Sequence, residues 1–191
     1  IKSILKILKE EHPDLQLDQI HQLKVSKILD KLLYFKEGYL ERNEFPNLED
    51  AIDLNLFNTF RSYVKVDSNL PKKHFLFSDE RGFFSELSRS GSKGQSSFSF
   101  TKPGVTRGNH FHTRKVERFS VIKGKARIKL RKYLTDEIIS FDIDSKNPSF
   151  VDMPIWYTHS ITNIGTEELL TFFWINEPYD EKDPDTYMEI V

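Results

Sequence analysis

The chain contains no cysteine, which excludes both a disulfide framework and any thiolate metal site. A bound metal would have to rest on histidine and carboxylate. It also lacks a charge excess: 28 basic residues stand against 29 acidic ones, for a formal charge of -1. That balance gives no electrostatic footprint for nucleic acid or an anionic membrane, and neither partner is expected. No apolar run approaches the roughly 20 residues of a membrane-crossing helix, and the opening IKSILKILKEEH is too short and too charged for a signal peptide. A cytoplasmic protein is the expectation. There is no glycine-rich phosphate loop and no dinucleotide fingerprint, so no NAD(P) site is expected in these residues. Methionine is scarce, with two residues against sixteen phenylalanines and seven tyrosines. Aromatic rings suit a pleated, half-buried surface, which favours β structure.

The 191 residues suffice for one compact unit with an extension. The first residue is isoleucine, which reads as a piece of something longer. Character changes near residue 66, and the expected organisation is a helical segment over 1–66 and a β domain over 67–191. In the first part, Ser3 is placed to cap a helix carrying Ile4, Leu5, Ile7 and Leu8, and Ser26 a second one with Ile28, Leu29, Leu32 and Leu33. In LEDAIDLNLFNTFRSYV, residues Leu56, Phe57, Phe60, Tyr63 and Val64 fall on one helical stripe. From Lys72 onward short runs take over: KHFLF, FFSEL, QSSFSFT, VERFSVIK, KARIKLR, EIISFDI and ELLTFFWI, many alternating with period two. Asn163 to Glu168 reads as a hairpin turn. Many short strands between turn signals indicate a sandwich or barrel.

The segment GVTRGNHFHTRKVERFSVIKG, Gly104 to Gly124, carries the chemistry. On a strand, His110 and His112 share a face while Phe111 points away. A turn at Thr113 and Arg114 would let Glu117 come alongside from a further strand. PIWYTHSITN supplies His159. Three imidazoles and a carboxylate suit zinc, manganese, iron or nickel.

The spacing G-x5-H-x-H-x4-E-x6-G, met at Gly104, His110, His112, Glu117 and Gly124, resembles the first motif of the cupin superfamily. That likeness implies a double-stranded β-helix, or jelly roll, in which the two histidines and the glutamate bind metal. The second motif, G-x5-P-x-G-x2-H-x3-N, is matched at Pro154, His159 and Asn163, with Pro148 and Trp156 in its two glycine places. More narrowly, GVTRGNHFH, VERFSVIKGKARIKLR, YTHSITNIGTEEL and FWINEPYDEKDPDTY resemble the C-terminal cupin of the bifunctional capsular-polysaccharide epimerase/reductases of the UDP-N-acetyl-L-fucosamine route. The likeness runs from about Phe75 to Val191 and extends back through LLYFKEGYLERNEFPNLED, which in that family closes a reductase domain. DERGFFSEL, Asp79 to Leu87, is similar to the D-x-R-G-x-F-x-E signature of the dTDP-4-keto-6-deoxysugar 3,5-epimerases. It implies that Arg81, Phe84 and Glu86 contact the nucleotide, and Arg107 falls on a further substrate arginine. The same stretch also reads as a tight Asp-x-Arg-Gly turn with Phe84 in the core.

The resemblance implies a sugar-nucleotide epimerase inverting carbon 3 of a UDP-4-keto-6-deoxy-N-acetylhexosamine through an enolate, with a divalent metal, zinc being the expectation, and a homodimeric assembly. A 3,4-ketoisomerase is the alternative enzyme, and a sugar-binding cupin module the non-enzymatic one. In the metal-free epimerases the histidine at the place of His110 is the base, but a metal-bound imidazole cannot accept that proton. Tyr157 and Tyr179 are therefore the candidate catalytic groups.

Overall fold

The computed structural model describes residues 22–191. The helix expected after Ser3 lies outside the described residues. The next begins at Val25 and runs to Phe35 (α1). Ser26 does not cap it: the chain turns helical one residue earlier, and the Lys24 carbonyl accepts the first bonds, from Lys27 and Ile28 N–H. Ile28, Leu32 and Phe35 face inward with 3.6-residue spacing, leaving Leu29 and Leu33 half exposed. The helix widens into a π-helical turn over Lys36–Glu41, closed by Arg42 N–H on the Glu37 carbonyl.

Helix α2, Ala51–Ser62, is capped by Asp50, whose carboxylate accepts from the N–H groups of Ile52 and Asp53 at 2.7 and 3.2 Å. Its buried Phe57 packs edge-on against Phe35 and Tyr39, with ring centroids 5.2 Å away in each case. Tyr63 does not join the stripe. It is the residue where the helix ends, and its ring turns into solvent, 84% exposed. A short helix, Val66–Asn69 (α3), follows.

Among the described residues, twelve strands form two sheets. We number them β1 (Glu44–Phe45), β2 (Phe77–Asp79), β3 (Gly82–Ser90), β4 (Gln95–Thr101), β5 (Thr106–Phe111), β6 (Glu117–Lys123), β7 (Lys125–Lys132), β8 (Ile138–Asp144), β9 (Phe150–Met153), β10 (Tyr157–Asn163), β11 (Leu169–Ile175) and β12 (Tyr187–Met188). One sheet has the order β1-β3-β4-β11-β6-β9, with β2 also paired to β3, and the other β12-β5-β10-β7-β8. This is a cupin jelly roll. From β4 onward the chain alternates between the sheets except at the β7–β8 hairpin, so Phe119, Val121, Ile128, Leu130, Ile161 and Leu169 from both sheets pack into one core. β1 pairs in parallel with β3, tying the helical segment into the sheet.

Two strand expectations change. Of KHFLF only Phe77 enters a strand, because Phe75 and Leu76 extend into solvent ahead of the two-residue turn at Glu80 and Arg81. Asn163 to Glu168 is no hairpin: β10 and β11 belong to different sheets, and the segment is the corner between them. Asn163 holds that corner from a fully buried position. Its Nδ2 donates to the carbonyls of Thr101 and Glu167, each at 2.8 Å, and its Oδ1 accepts Gly165 N–H at 2.9 Å. Replacing Asn163 by Ala strands these three groups, and urea unfolding should register a loss of about 3 kcal/mol, with Asn163→Asp intermediate.

Candidate metal centre

The centre begins with an irregularity in β5. His159 pairs with His110, and Ser160 with Gly108, so Asn109 is an extra residue in the ladder. This bulge has left-handed φ at Gly108 (93°) and Asn109 (61°). A Cβ at Gly108 would lie 2.8 Å from the His159 carbonyl oxygen, so glycine is required there. Without the bulge, Arg107 and His110 would point to opposite faces; with it, both point between the sheets.

His110 and His112 are brought together as the i, i+2 spacing requires, with ring centroids 5.0 Å apart, although His112 lies just past the strand end. His159 on β10 meets His110 at 4.5 Å and is 1% exposed. Glu117 arrives from the opposite sheet as the first residue of β6, after the loop over 113–116. One donor atom from each of the four side chains lies within 4.8 Å of the others.

Glu117 Oε2 sits 3.4 Å from His112 Nε2 and 3.3 Å from His159 Nε2. All three atoms are buried and lack a hydrogen-bond partner. Two ligands each about 2.1 Å from a tetrahedral ion stand about 3.4 Å apart. The spacing is thus that of atoms arranged around a cation rather than bonded to one another. The remaining ring nitrogens are already committed: His112 Nδ1 donates to the Asp185 carbonyl, and His159 Nδ1 to the Tyr157 carbonyl at 3.3 Å. These bonds leave Nε2 with its lone pair toward the centre. The donor set can hold a divalent metal ion.

The electrostatics agree. Burial, reinforced by the neighbouring His159, pushes the His110 pKa down to about 4, so this imidazole is neutral at pH 7. Burial works to raise Glu117, but contacts from His112 and His159 outweigh it and hold the carboxyl at about 2. For His112, burial opposes protonation, yet Glu117 overrides it and the pKa is raised.

The expected nucleotide residues separate into two groups. Arg81 and Arg107 meet across Asp79: Arg81 Nε donates to Asp79 Oδ2 at 2.9 Å, and Arg107 Nη2 lies 3.8 Å from Oδ1. Arg107 Nε donates to Thr101 Oγ1 at 3.0 Å, while its buried Nη2 makes no hydrogen bond. Phe84 packs against Phe173, which meets Phe119 edge-on, and Phe119 in turn touches His159. Glu86 is held by Arg89 at 2.9 Å and lines a separate cavity of about 930 Å³ beside the helical segment, together with Phe45, Phe75 and Phe77. None of the four metal-site residues lines it. Tyr157 is partly buried against the core, two residues before His159, whereas Tyr179 is 60% exposed with the Lys115 ammonium 5.7 Å from its ring.

The bulge and Asp185 leave no mark in the sequence motifs. The latter lies 73 residues from His112, and no local spacing announces it.

The fold and the cluster define a cupin with a His3Glu centre. The chain belongs to the polysaccharide biosynthesis C-terminal domain family, whose model matches residues 77–187. It is 35% identical over 176 residues to a UDP-2-acetamido-2,6-beta-L-arabino-hexul-4-ose reductase of Pseudomonas aeruginosa, covering 91% of this chain and 46% of that protein. The spore coat polysaccharide biosynthesis protein SpsL of Bacillus subtilis is 27% identical over 130 residues, covering 63% of this chain and 86% of SpsL. In structure, the capsular polysaccharide assembling protein CapF of Staphylococcus aureus superposes with a TM-score of 0.85 at 31% identity, over 100% of this chain and 53% of CapF. The chain thus spans about half the length of the Pseudomonas and Staphylococcus relatives.

Chelator-treated protein should lose stability as pH falls from about 6.5 to about 4, because the unfolded chain takes up a proton at His110 that the folded chain refuses. Urea unfolding at stepped pH measures this. His110→Gln should flatten that part of the profile; the opposite-signed contribution of His112, whose pKa is raised on folding, falls above about 6.5, where it is lost as pH rises.

Proposed function

We propose that the chain is a sugar-nucleotide 3-epimerase acting on a UDP-4-keto-6-deoxy-N-acetylhexosamine in surface-polysaccharide precursor synthesis. The observation that carries this reading is the placement of Arg107 on the strand and face of His110, three residues away across the bulge, with a buried Nη2 that makes no hydrogen bond and has only the Asp79 carboxylate, at 3.8 Å, as a counter-charge. A guanidinium fork there suits diphosphate oxygens. Arg81 shares Asp79 with it and serves the same anion, and Phe84 supplies an aromatic wall. Glu86 completes the carried-over nucleotide set only by turning away from Arg89. The Pseudomonas relative is named for a UDP-linked 4-keto hexose of the same class.

The hydrogen on carbon 3 is acidic because the adjacent carbonyl delocalises the charge as an enolate. A base removes it from one face and an acid returns a proton to the other. A divalent ion, zinc in our reading, held by His110, His112, Glu117 and His159 would supply an electrophile at the carbonyl oxygen. His110 is then committed as a ligand, and the proton carriers are assigned to Tyr157 and Tyr179. In the same reading residues 1–66 close a reductase-type unit and 67–191 form the cupin. A homodimer belongs to it as well, supported by the exposed apolar edge at Phe75, Leu76 and Phe77.

Incubation with the 4-ketosugar nucleotide in deuterium oxide should place deuterium on carbon 3 and yield the epimer, as read by NMR. Arg107→Gln should lower kcat/KM about 100-fold, chiefly through KM. Exchange accompanied by carbonyl migration would indicate a 3,4-ketoisomerase. Binding without exchange would leave a sugar-binding module.

A further inference from the structure

We propose that Asp185 is the positioning residue of the metal centre, holding His112 with its carbonyl and the loop between His112 and Glu117 with its carboxylate. The inference rests on the reading of His110, His112, Glu117 and His159 as metal ligands.

The loop over 113–116 carries the chain from one sheet to the other, and its two ends are ligands. Its peptide groups cannot pair with either sheet there, yet they are satisfied. The Asp185 carboxylate accepts from the N–H groups of Thr113 (3.1 Å), Arg114 (3.0 Å) and Lys115 (3.0 Å), and from the Thr113 hydroxyl. Three consecutive peptide N–H groups converging on one carboxylate make an anion nest. The Asp185 carbonyl accepts from His112 Nδ1, which selects the tautomer that presents Nε2 to the centre. One residue thereby sets the ring orientation of one ligand and the approach of another.

Asp185 is 3% exposed and has a left-handed backbone, with φ 40°. Its position is held from both sides. Arg114 binds Asp183 at 2.8 Å and Glu177 at 3.0 Å, Lys115 Nζ donates to the Pro184 carbonyl at 2.7 Å, and β12 pairs with β5 opposite His110. The chain from Glu177 to Met188 is therefore a strap across the metal end of the jelly roll rather than a loose tail. An ordinary structural aspartate would tie the strap to the loop; the bond to His112 is what couples this one to the ligand field.

Asp185→Asn preserves shape and tolerates a left-handed φ, but opposes an amide to the peptide N–H groups. Asp185→Gly keeps the backbone conformation and removes the carboxylate. Both variants should be stripped with chelator and titrated with cobalt(II), whose affinity is read by competition and whose visible spectrum reports the ligand geometry. We expect 10- to 100-fold weaker cobalt binding and an altered spectrum. The loss should shrink when Asp185→Asn is combined with His112→Ala, which leaves only the part transmitted through the loop to Glu117, and persist in full when combined with His110→Ala. Should neither Asp185 variant fold, Thr113→Val, which removes one bond to the carboxylate, is expected to weaken cobalt about fivefold.

Equal losses of melting temperature with and without cobalt, at unchanged affinity and spectrum, would overturn the role of Asp185. So would an unchanged Thr113→Val. Failure of the unaltered protein to take up cobalt would overturn the metal centre itself.

Discussion

A carboxylate buried between two sheets is costly unless positive charge meets it, and Glu117 is such a group. Three imidazoles surround it at spacings too long for good hydrogen bonds and suited to a shared ion. Because Glu117 belongs to one sheet and the histidines to the other, any ion there would be a bridge between the two layers.

The surrounding structure meets this constraint with irregular backbone rather than regular ladders. The bulge at Gly108 and Asn109 turns both His110 and Arg107 inward, and the C-terminal strand secures it: Glu189 N–H donates to the Asn109 carbonyl at 2.9 Å. Trp156, in the place of a motif glycine, has a left-handed φ of 63°. Its N–H binds the His112 carbonyl at 2.8 Å, and its ring stacks on Phe111, on the face away from the metal site. The replacement of glycine thus strains one residue while supporting the ligand strand from behind.

Strand β4 shows why composition alone misleads about faces. Its inward residues are Gln95, Ser97, Ser99 and Thr101, whereas Phe98 and Phe100 point outward to pack with Phe83 and, in the case of Phe98, with His74. The interior beside Arg107 is consequently lined with hydroxyls, and the aromatic layer faces outward. Together with β1, which adds to the edge of β3, this face belongs as much to the helical segment as to the jelly roll.

The strand runs from FFSEL to ELLTFFWI, the two histidines on one face, Glu117, His159 and the turn between β2 and β3 were all legible in the sequence, because each depends on period, spacing or a short turn. Local periodicity could not say which face of β4 is inside, that Asn163 turns a corner between sheets, or that Ser26 lies within its helix, since those follow from what lies opposite. The cluster of His110, His112, Glu117 and His159 was written in a segment of local spacing plus one distant histidine. Its support was not: Asp185 reaches His112 only because the chain, after eleven strands, returns across the end where the two sheets meet. Hydrogen bonds between residues 73 apart are set by topology, and topology exists only once both sheets have packed.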